Sequence, residues 1–224
     1  VWQAAALLAA AATQRQPALA DGAAPSAAAL ANPPSIDIRK DDVKVTSRCF
    51  LDVSIGGAPA GRIVVDLFGE VAPRTAENFR QLCTGEKGFG YRGSSFYRVI
   101  SGLTLQGGAI DSGDGSAGRS IYGPTFAHEN YAIAHSVSGL LSMVNSGVGG
   151  GQQQSDSRFL IQMPDDAGFL DGRYTAFGRV VKGSEVLKAI EAVPVTSTKN
   201  KPTQRVSIDE AGELPLPQEP PAGP

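Results

Sequence analysis

Arg98 stands inside the apolar run SFYRVI (95–100), and Gln106 follows it eight residues later in TLQGG. A cation placed among Phe96, Val99, Ile100 and Leu103 has to be solvated, ion-paired or held for chemistry, because an unpaired buried charge is very costly. For chemistry, an arginine offers a permanently protonated fork of N–H donors aimed at developing negative charge or a lone pair. The strand-like pattern alone leaves these roles open, including that of a side chain snorkelling from a strand end. Other chemistry-bearing residues are sparse. His128 and His135 lack any Cys/His cluster with zinc spacing, so neither a metal nor another cofactor is predicted. Cys49 and Cys83 read as small buried hydrophobes rather than as a disulfide framework. There is no nucleophile-elbow motif and no distinctive carboxylate pair.

Two glycine-rich stretches need a separate reading. Residues 107–123, GGAIDSGDGSAGRSIYG, have no Gly-Lys-Ser/Thr ending and no helix pattern behind them. They are expected to form a mobile surface loop rather than a phosphate cradle. The stretch GVGGGQQQSDS (147–157) is also read as a loop.

The elements that must position Arg98 follow from periodicity. CFLDVSIGGAPAGRIVVDLF (49–68) reads as two strands joined at Gly56-Gly57, and further strands are predicted at 95–100, 103–106, 139–145, 158–163, 174–181 and 204–210. APRTAENFRQLCTG has Pro73 at a first helical position, Ala76, Phe79 and Leu82 at helical spacing, and Gly85 just past the end. GSEVLKAIEAV offers Ser184 as an N-cap, with Val186, Leu187 and Ile190 on one face. Eight strands and two short helices predict a mainly β fold, a closed barrel whose open ends the helices cover. With 20 basic and 22 acidic residues the formal charge is -2, which argues against nucleic-acid or anionic-membrane partners.

Taken in order, RTAENFRQLCTGEKGFGYRGSSFYRVISGLTLQGG, GRSIYGPTFAHEN, GLLSMVNSG, SRFLIQM and FLDGRYTAFGRVV resemble the cyclophilins over residues 48–213. The resemblance implies an eight-stranded antiparallel barrel capped by two helices, acting as a peptidyl-prolyl cis-trans isomerase on Xaa-Pro bonds and assisting protein folding. By motif position Arg98 matches the family's catalytic arginine, Gln106 its substrate-holding glutamine, and Asn145 the asparagine that binds the substrate backbone. Val144 and Ser146 flank Asn145 and are taken with it as substrate-binding. The proline pocket is expected from Leu103, Thr104, Arg158, Leu160, Phe169, Leu170 and Tyr174.

Of these pocket positions only Leu170 agrees with the family. Phe and Met are typical at Leu103 and Thr104, Gln at Arg158, Phe at Leu160, Trp at Phe169 and His at Tyr174. Each smaller apolar side chain is expected to weaken contact by roughly 1 kcal/mol, and several together to slow turnover by about tenfold to thousandfold. The extreme form of that expectation is a weakly catalytic peptide-binding module or assembly chaperone. Arg158 is expected to bring a second cation toward Arg98. Loss of the indole donor at Phe169 implies weak cyclosporin binding.

Residues 1–20, VWQAAALLAAAATQRQPALA, end in Ala18-Leu19-Ala20 and read as part of a cleaved targeting peptide. Its uncharged part is shorter than the roughly 20 apolar residues a membrane-spanning helix needs, so no stable membrane insertion is predicted. Residues 21–47 are expected to be a flexible Ala/Pro-rich linker, 48–213 the isomerase domain and 214–224 a Pro-rich tail. The Ala-rich leader and the TGEKGFGYRGS segment resemble plant lumenal members, which implies the chloroplast thylakoid lumen, with secretion or a periplasmic site as the alternative. Nothing in the sequence calls for a second copy, so a monomer binding proline-containing polypeptides is expected.

Overall fold

The computed structural model describes residues 35–216; the leader, the first part of the linker and the end of the Pro-rich tail lie outside the described residues. The first hairpin is the one foreseen: β1 (Ser47–Ile55) and β2 (Ala58–Leu67) turn at Gly56-Gly57 and pair antiparallel. Helix α1 (Pro73–Thr84) follows, then β3 (Ser95–Ile100), β4 (Thr104–Gly107), β5 (Phe126–Ala127), β6 (Leu140–Met143), β7 (Val148–Gly149), β8 (Gln152–Ser155) and β9 (Phe159–Gln162). The chain ends with β10 (Ala176–Lys182), helix α2 (Ser184–Glu191) and β11 (Val206–Leu214). Eight strands close a barrel in the order β1-β11-β3-β4-β9-β6-β10-β2, so the mainly β, two-helix architecture is the one the sequence predicts.

Alternation fills the barrel. Strand side chains point to opposite faces at each step, and the inward positions supply Leu51, Val53, Ile63, Val65, Phe96, Val99, Leu105, Phe159, Ile161 and Phe177. Phe159 is the hub: its ring centroid lies 5.4 Å from Phe79, 5.3 Å from Tyr91 and 5.8 Å from Phe96, all edge-on. Helix α1 contributes Phe79 and Leu82 to this core, and α2 contributes Val186, Leu187 and Ile190.

Three details depart from the sequence reading, and a fourth, the capping of α1, lies outside it. Gly183, with φ +98°, is the N-cap of α2, and Ser184 is the first helical residue. A side chain at Gly183 would collide with the Arg62 carbonyl of β2, so this close approach rather than a hydroxyl cap fixes the helix start. Helix α1 has no side-chain cap of its own; the Glu129 carboxylate accepts from the Arg74 and Thr75 amides at 2.9 and 2.6 Å. The glycine- and glutamine-rich stretch after Asn145 is a short hairpin, β7 with β8, and β8 also pairs with β5. Lastly, the segment assigned to a linker is packed from Ser35 onward: Ile36, Ile38, Val43 and Val45 lie against Phe68, Ile133, Leu140 and Ala176. Its apolar residues are enough to cover one flank of the barrel.

Candidate active site

Strand register places the candidate residues in one row. Arg98 on β3 stands opposite Gln106 on β4, Gln106 opposite Leu160 on β9, and Leu160 opposite Ser142 on β6. The neighbouring rows, Leu105 with Ile161 and Leu141 on one side and Gly107 with Phe159 and Met143 on the other, belong to the interior. Alternation therefore turns the Arg98 row outward.

Arg98, Gln106, Val144 and Arg158 line one cavity of about 520 Å³, with Tyr97 in its wall. Arg98 is exposed, and its guanidinium makes no hydrogen bond or ion pair to a described residue. Beside this cavity lies an apolar patch in which Leu160, Ala167 and Leu170 are buried, with half-buried Val144 and Tyr174 packed on them. Val144 belongs to both, so a free cationic donor borders an apolar surface.

The remaining candidates surround these two groups. Leu103 is half-buried, and its carbonyl accepts from the Met163 amide at 2.9 Å. Thr104 is buried opposite Gln162, two pairs beyond Gln106–Leu160. Asn145 Nδ2 donates to the Arg173 carbonyl at 3.3 Å, and the Ser146 amide donates to the Gln154 carbonyl at 2.7 Å. Phe169 is 54% exposed on the 3-10 turn Gly168–Leu170, while its neighbour Leu170 is buried. Thr104 Oγ1, Asn145 Oδ1 and Ser146 Oγ are buried without a hydrogen-bond partner among the described residues. Such groups carry a desolvation cost of about 1–3 kcal/mol each.

Arg158 differs from expectation. It shares the cavity with Arg98, but its Nε and Nη2 donate to the Asp156 carboxylate at 3.0 and 2.7 Å, and Nη1 donates to the Gly115 carbonyl at 2.7 Å. Burial opposes the guanidinium charge, and the hydrogen bonds and attraction of Asp156 outweigh it, so the pKa is raised. The second cation is thus neutralised in place. Gly115, at φ +89°, makes this possible: a Cβ there would strike the Tyr97 ring, and without one the loop comes close enough to offer its carbonyl. Burial pushes the Tyr97 hydroxyl up to about 12, so it stays neutral.

One polar network behind this surface has no counterpart in any local sequence pattern. His135 Nδ1 lies 2.8 Å from Asp171 Oδ1, and its Nε2 lies 2.8 Å from Ser142 Oγ. The carboxylate can only accept, so Nδ1 carries the proton and Nε2 accepts from the serine hydroxyl. Burial lowers the imidazole pKa against the opposing pull of Asp171. The alignment resembles that of a serine hydrolase, but Ser142 is completely buried and no substrate reaches it. Its effect is mechanical: it ties β6, which leads into Val144 and Asn145, to the residue closing the turn that carries Phe169 and Leu170. His135, Ser142 and Asp171 are spread over 36 residues with no motif, so only the fold brings them together.

Among the described residues no group of three or more His, Cys, Asp or Glu side chains is placed to hold a metal ion, and no helix is long and apolar enough to cross a membrane. Both cysteines are free and buried, as expected.

Residues 50–213 match the family described as cyclophilin type peptidyl-prolyl cis-trans isomerase/CLD. The chain is also similar to the peptidyl-prolyl cis-trans isomerase CYP21-1 of Arabidopsis thaliana, with 43% identity over 182 residues that cover 78% of this chain and 79% of that protein.

Proposed function

The chain belongs to the cyclophilin-type peptidyl-prolyl cis-trans isomerases, and from that membership we propose that Arg98 is the catalytic donor of a slow Xaa-Pro isomerase. The barrier to be lowered is amide resonance, about 18–20 kcal/mol. No bond has to break. As the C–N bond twists, the prolyl nitrogen becomes pyramidal and gains a lone pair that the planar ground state lacks. A donor that meets this lone pair stabilises the twisted state selectively, which is the requirement for catalysis.

The observation that carries this assignment is the free guanidinium of Arg98, exposed beside Gln106 and next to the Val144–Leu160–Leu170–Tyr174 patch. The apolar patch receives the proline ring. Gln106 and the Asn145 region hold the flanking backbone, so that one side of the bond rotates while the other is fixed. Slow turnover follows from the pocket's shallow grip. Leu103 and Thr104 supply less apolar surface than Phe and Met, and the Thr104 side chain is already buried in the wall. Phe169 has no N–H to offer, so cyclosporin binds weakly.

The protein assists folding of proline-containing clients as a monomer. The thylakoid lumen is the proposed site, supported by the Ala-rich leader and the similarity to a plant relative.

The test is an isomerisation assay on a short Xaa-Pro peptide with wild type and Arg98→Ala. Wild type is expected to exceed the variant by about a hundredfold in kcat/KM, the loss typical of one preorganised donor. Equal rates would remove Arg98 from catalysis. If both also fail to accelerate the uncatalysed reaction, the second reading, a peptide-binding module, takes its place.

A further inference from the structure

One side of the Arg98 cavity, its lobe toward the loop between α2 and β11, is not used by the isomerase reading. That loop brings Thr198, Lys199 and Lys201 into the same lining as Arg98 and Gln106. The placement is firm. Asn200 holds a left-handed backbone, φ +53°, and its carbonyl accepts from the Val99 amide at 2.8 Å, one residue along β3 from Arg98. Within the loop, the Thr196 amide donates to the Lys201 carbonyl at 2.9 Å, and the Lys201 amide donates to Thr196 Oγ1 at 3.2 Å. Two lysines therefore flank the residue that is stitched to the strand of Arg98.

Both lysines are exposed, and neither ammonium has an ion-pair partner among the described residues. Asp114 is the anion in the lining. Its carboxylate is occupied by the Ser116 amide and hydroxyl at 2.9 and 2.6 Å, which help hold its pKa down at about 2. Arg158 is neutralised by Asp156. Bonds from neutral donors leave Asp114 charged, so Arg98, Lys199 and Lys201 face one anion and the opening keeps a net positive charge, in a chain whose net charge is negative.

We infer that this lobe is a subsite for an anionic side chain of the substrate, a carboxylate or a phosphoryl group close to the Xaa-Pro bond, held by Lys199 and Lys201. The inference rests on the isomerase reading of Arg98 and adds a substrate class to it. An acidic residue seated there is drawn to the groove, while a basic one is repelled. Each exposed ion pair contributes modestly, so the two lysines together favour an acidic over a neutral peptide by about three- to thirtyfold. Because the lobe is open, salt screens the advantage, and it shrinks as the Debye length falls below about 10 Å.

The experiment measures kcat/KM for peptides carrying Glu, phosphoserine, Ala or Lys in turn at the positions on either side of the Xaa-Pro bond. Wild type is compared with the double variant Lys199→Ser/Lys201→Ser at low and high salt. The expected result is a wild-type ratio of acidic to Ala peptide well above one at one or more positions, falling toward one in the variant and in high salt. Glu against phosphoserine then shows which anion the lobe prefers. A wild-type ratio of one at every position, or a ratio the double variant leaves intact, overturns the inference while activity on the Ala peptide leaves the isomerase reading standing. If wild type isomerises no peptide, the isomerase reading fails instead. Fluorescence anisotropy of labelled Glu and Ala peptides then decides the lobe on its own, with equal binding counting against it.

Discussion

His128 is completely buried, and neither ring nitrogen has a hydrogen-bond partner among the described residues. Its amide is tied to the Gln153 carbonyl at 2.9 Å, and its ring meets Tyr131 edge-on, so it cannot easily swing into water. Burial lowers its pKa to about 4, against about 6.5 in an unfolded chain. Between those values the unfolded chain takes up a proton that the fold refuses, so stability falls as pH falls. The linkage integral from about pH 7 to about pH 5 amounts to about 2 kcal/mol, and the loss levels off once pH drops below about 4. His135 adds to the loss with the same sign, since burial lowers its pKa too. The perturbation that isolates His128 is His128→Phe, which keeps a ring in the cavity and removes the titrating group. Urea unfolding followed by circular dichroism at both pH values gives the two slopes. Wild type is expected to lose about 2 kcal/mol more than the variant on acidification. Parallel losses in the two proteins refute the assignment, because every carboxylate and His135 contribute equally to both.

Asp156→Asn leaves the Arg158 guanidinium without its counter-ion in a half-buried site. A drop of about 2 kcal/mol in unfolding free energy is expected, less than for a fully buried pair because solvent reaches part of the arginine. Adding Arg158→Gln should recover most of that loss; an additive double variant would show that the pair is not coupled. Cys49 and Cys83 are buried, and desolvation pushes the Cys83 thiol well up. Neither is expected to react with a disulfide reagent until denaturant is added, whereas rapid labelling of the native protein would contradict their burial.

What the sequence made legible was whatever obeys a simple period. The β1–β2 hairpin shows as two apolar runs around Gly56-Gly57, and α1 shows as Pro73 ahead of Ala76, Phe79 and Leu82. The short strands β5, β7 and β8 have no apolar alternation and form because their backbones pair with one another. Glu129 capping α1 from 54 residues away is a tertiary event that no local pattern encodes. In the site, the motif order brought Arg98, Gln106 and the apolar positions forward. The neutralisation of Arg158 was within reach of the same reasoning: Asp156 stands two residues before it, and alternating geometry near a strand start sets such a pair on one face.

Several arginines are tied to carboxylates, whereas Arg98, like Arg179 on β10, has no ion pair among the described residues. Arg48 is bound to Asp66, Arg62 to Asp52, Arg80 to Glu77 and Arg158 to Asp156, all at 2.6–2.8 Å. Acidic residues outnumber basic ones by 22 to 20, so carboxylates are not in short supply. Arg98 on β3 has no such partner among the described residues. A carboxylate at hydrogen-bond distance would engage the donors that a prolyl lone pair needs, and it would cancel the field that Lys199 and Lys201 share with it. Keeping an exposed guanidinium unpaired costs the fold little, since water solvates it. On the reading proposed above, the unpaired guanidinium keeps its donors free for a twisting amide, and with Lys199 and Lys201 it leaves a net positive potential toward an anionic flank of the same peptide.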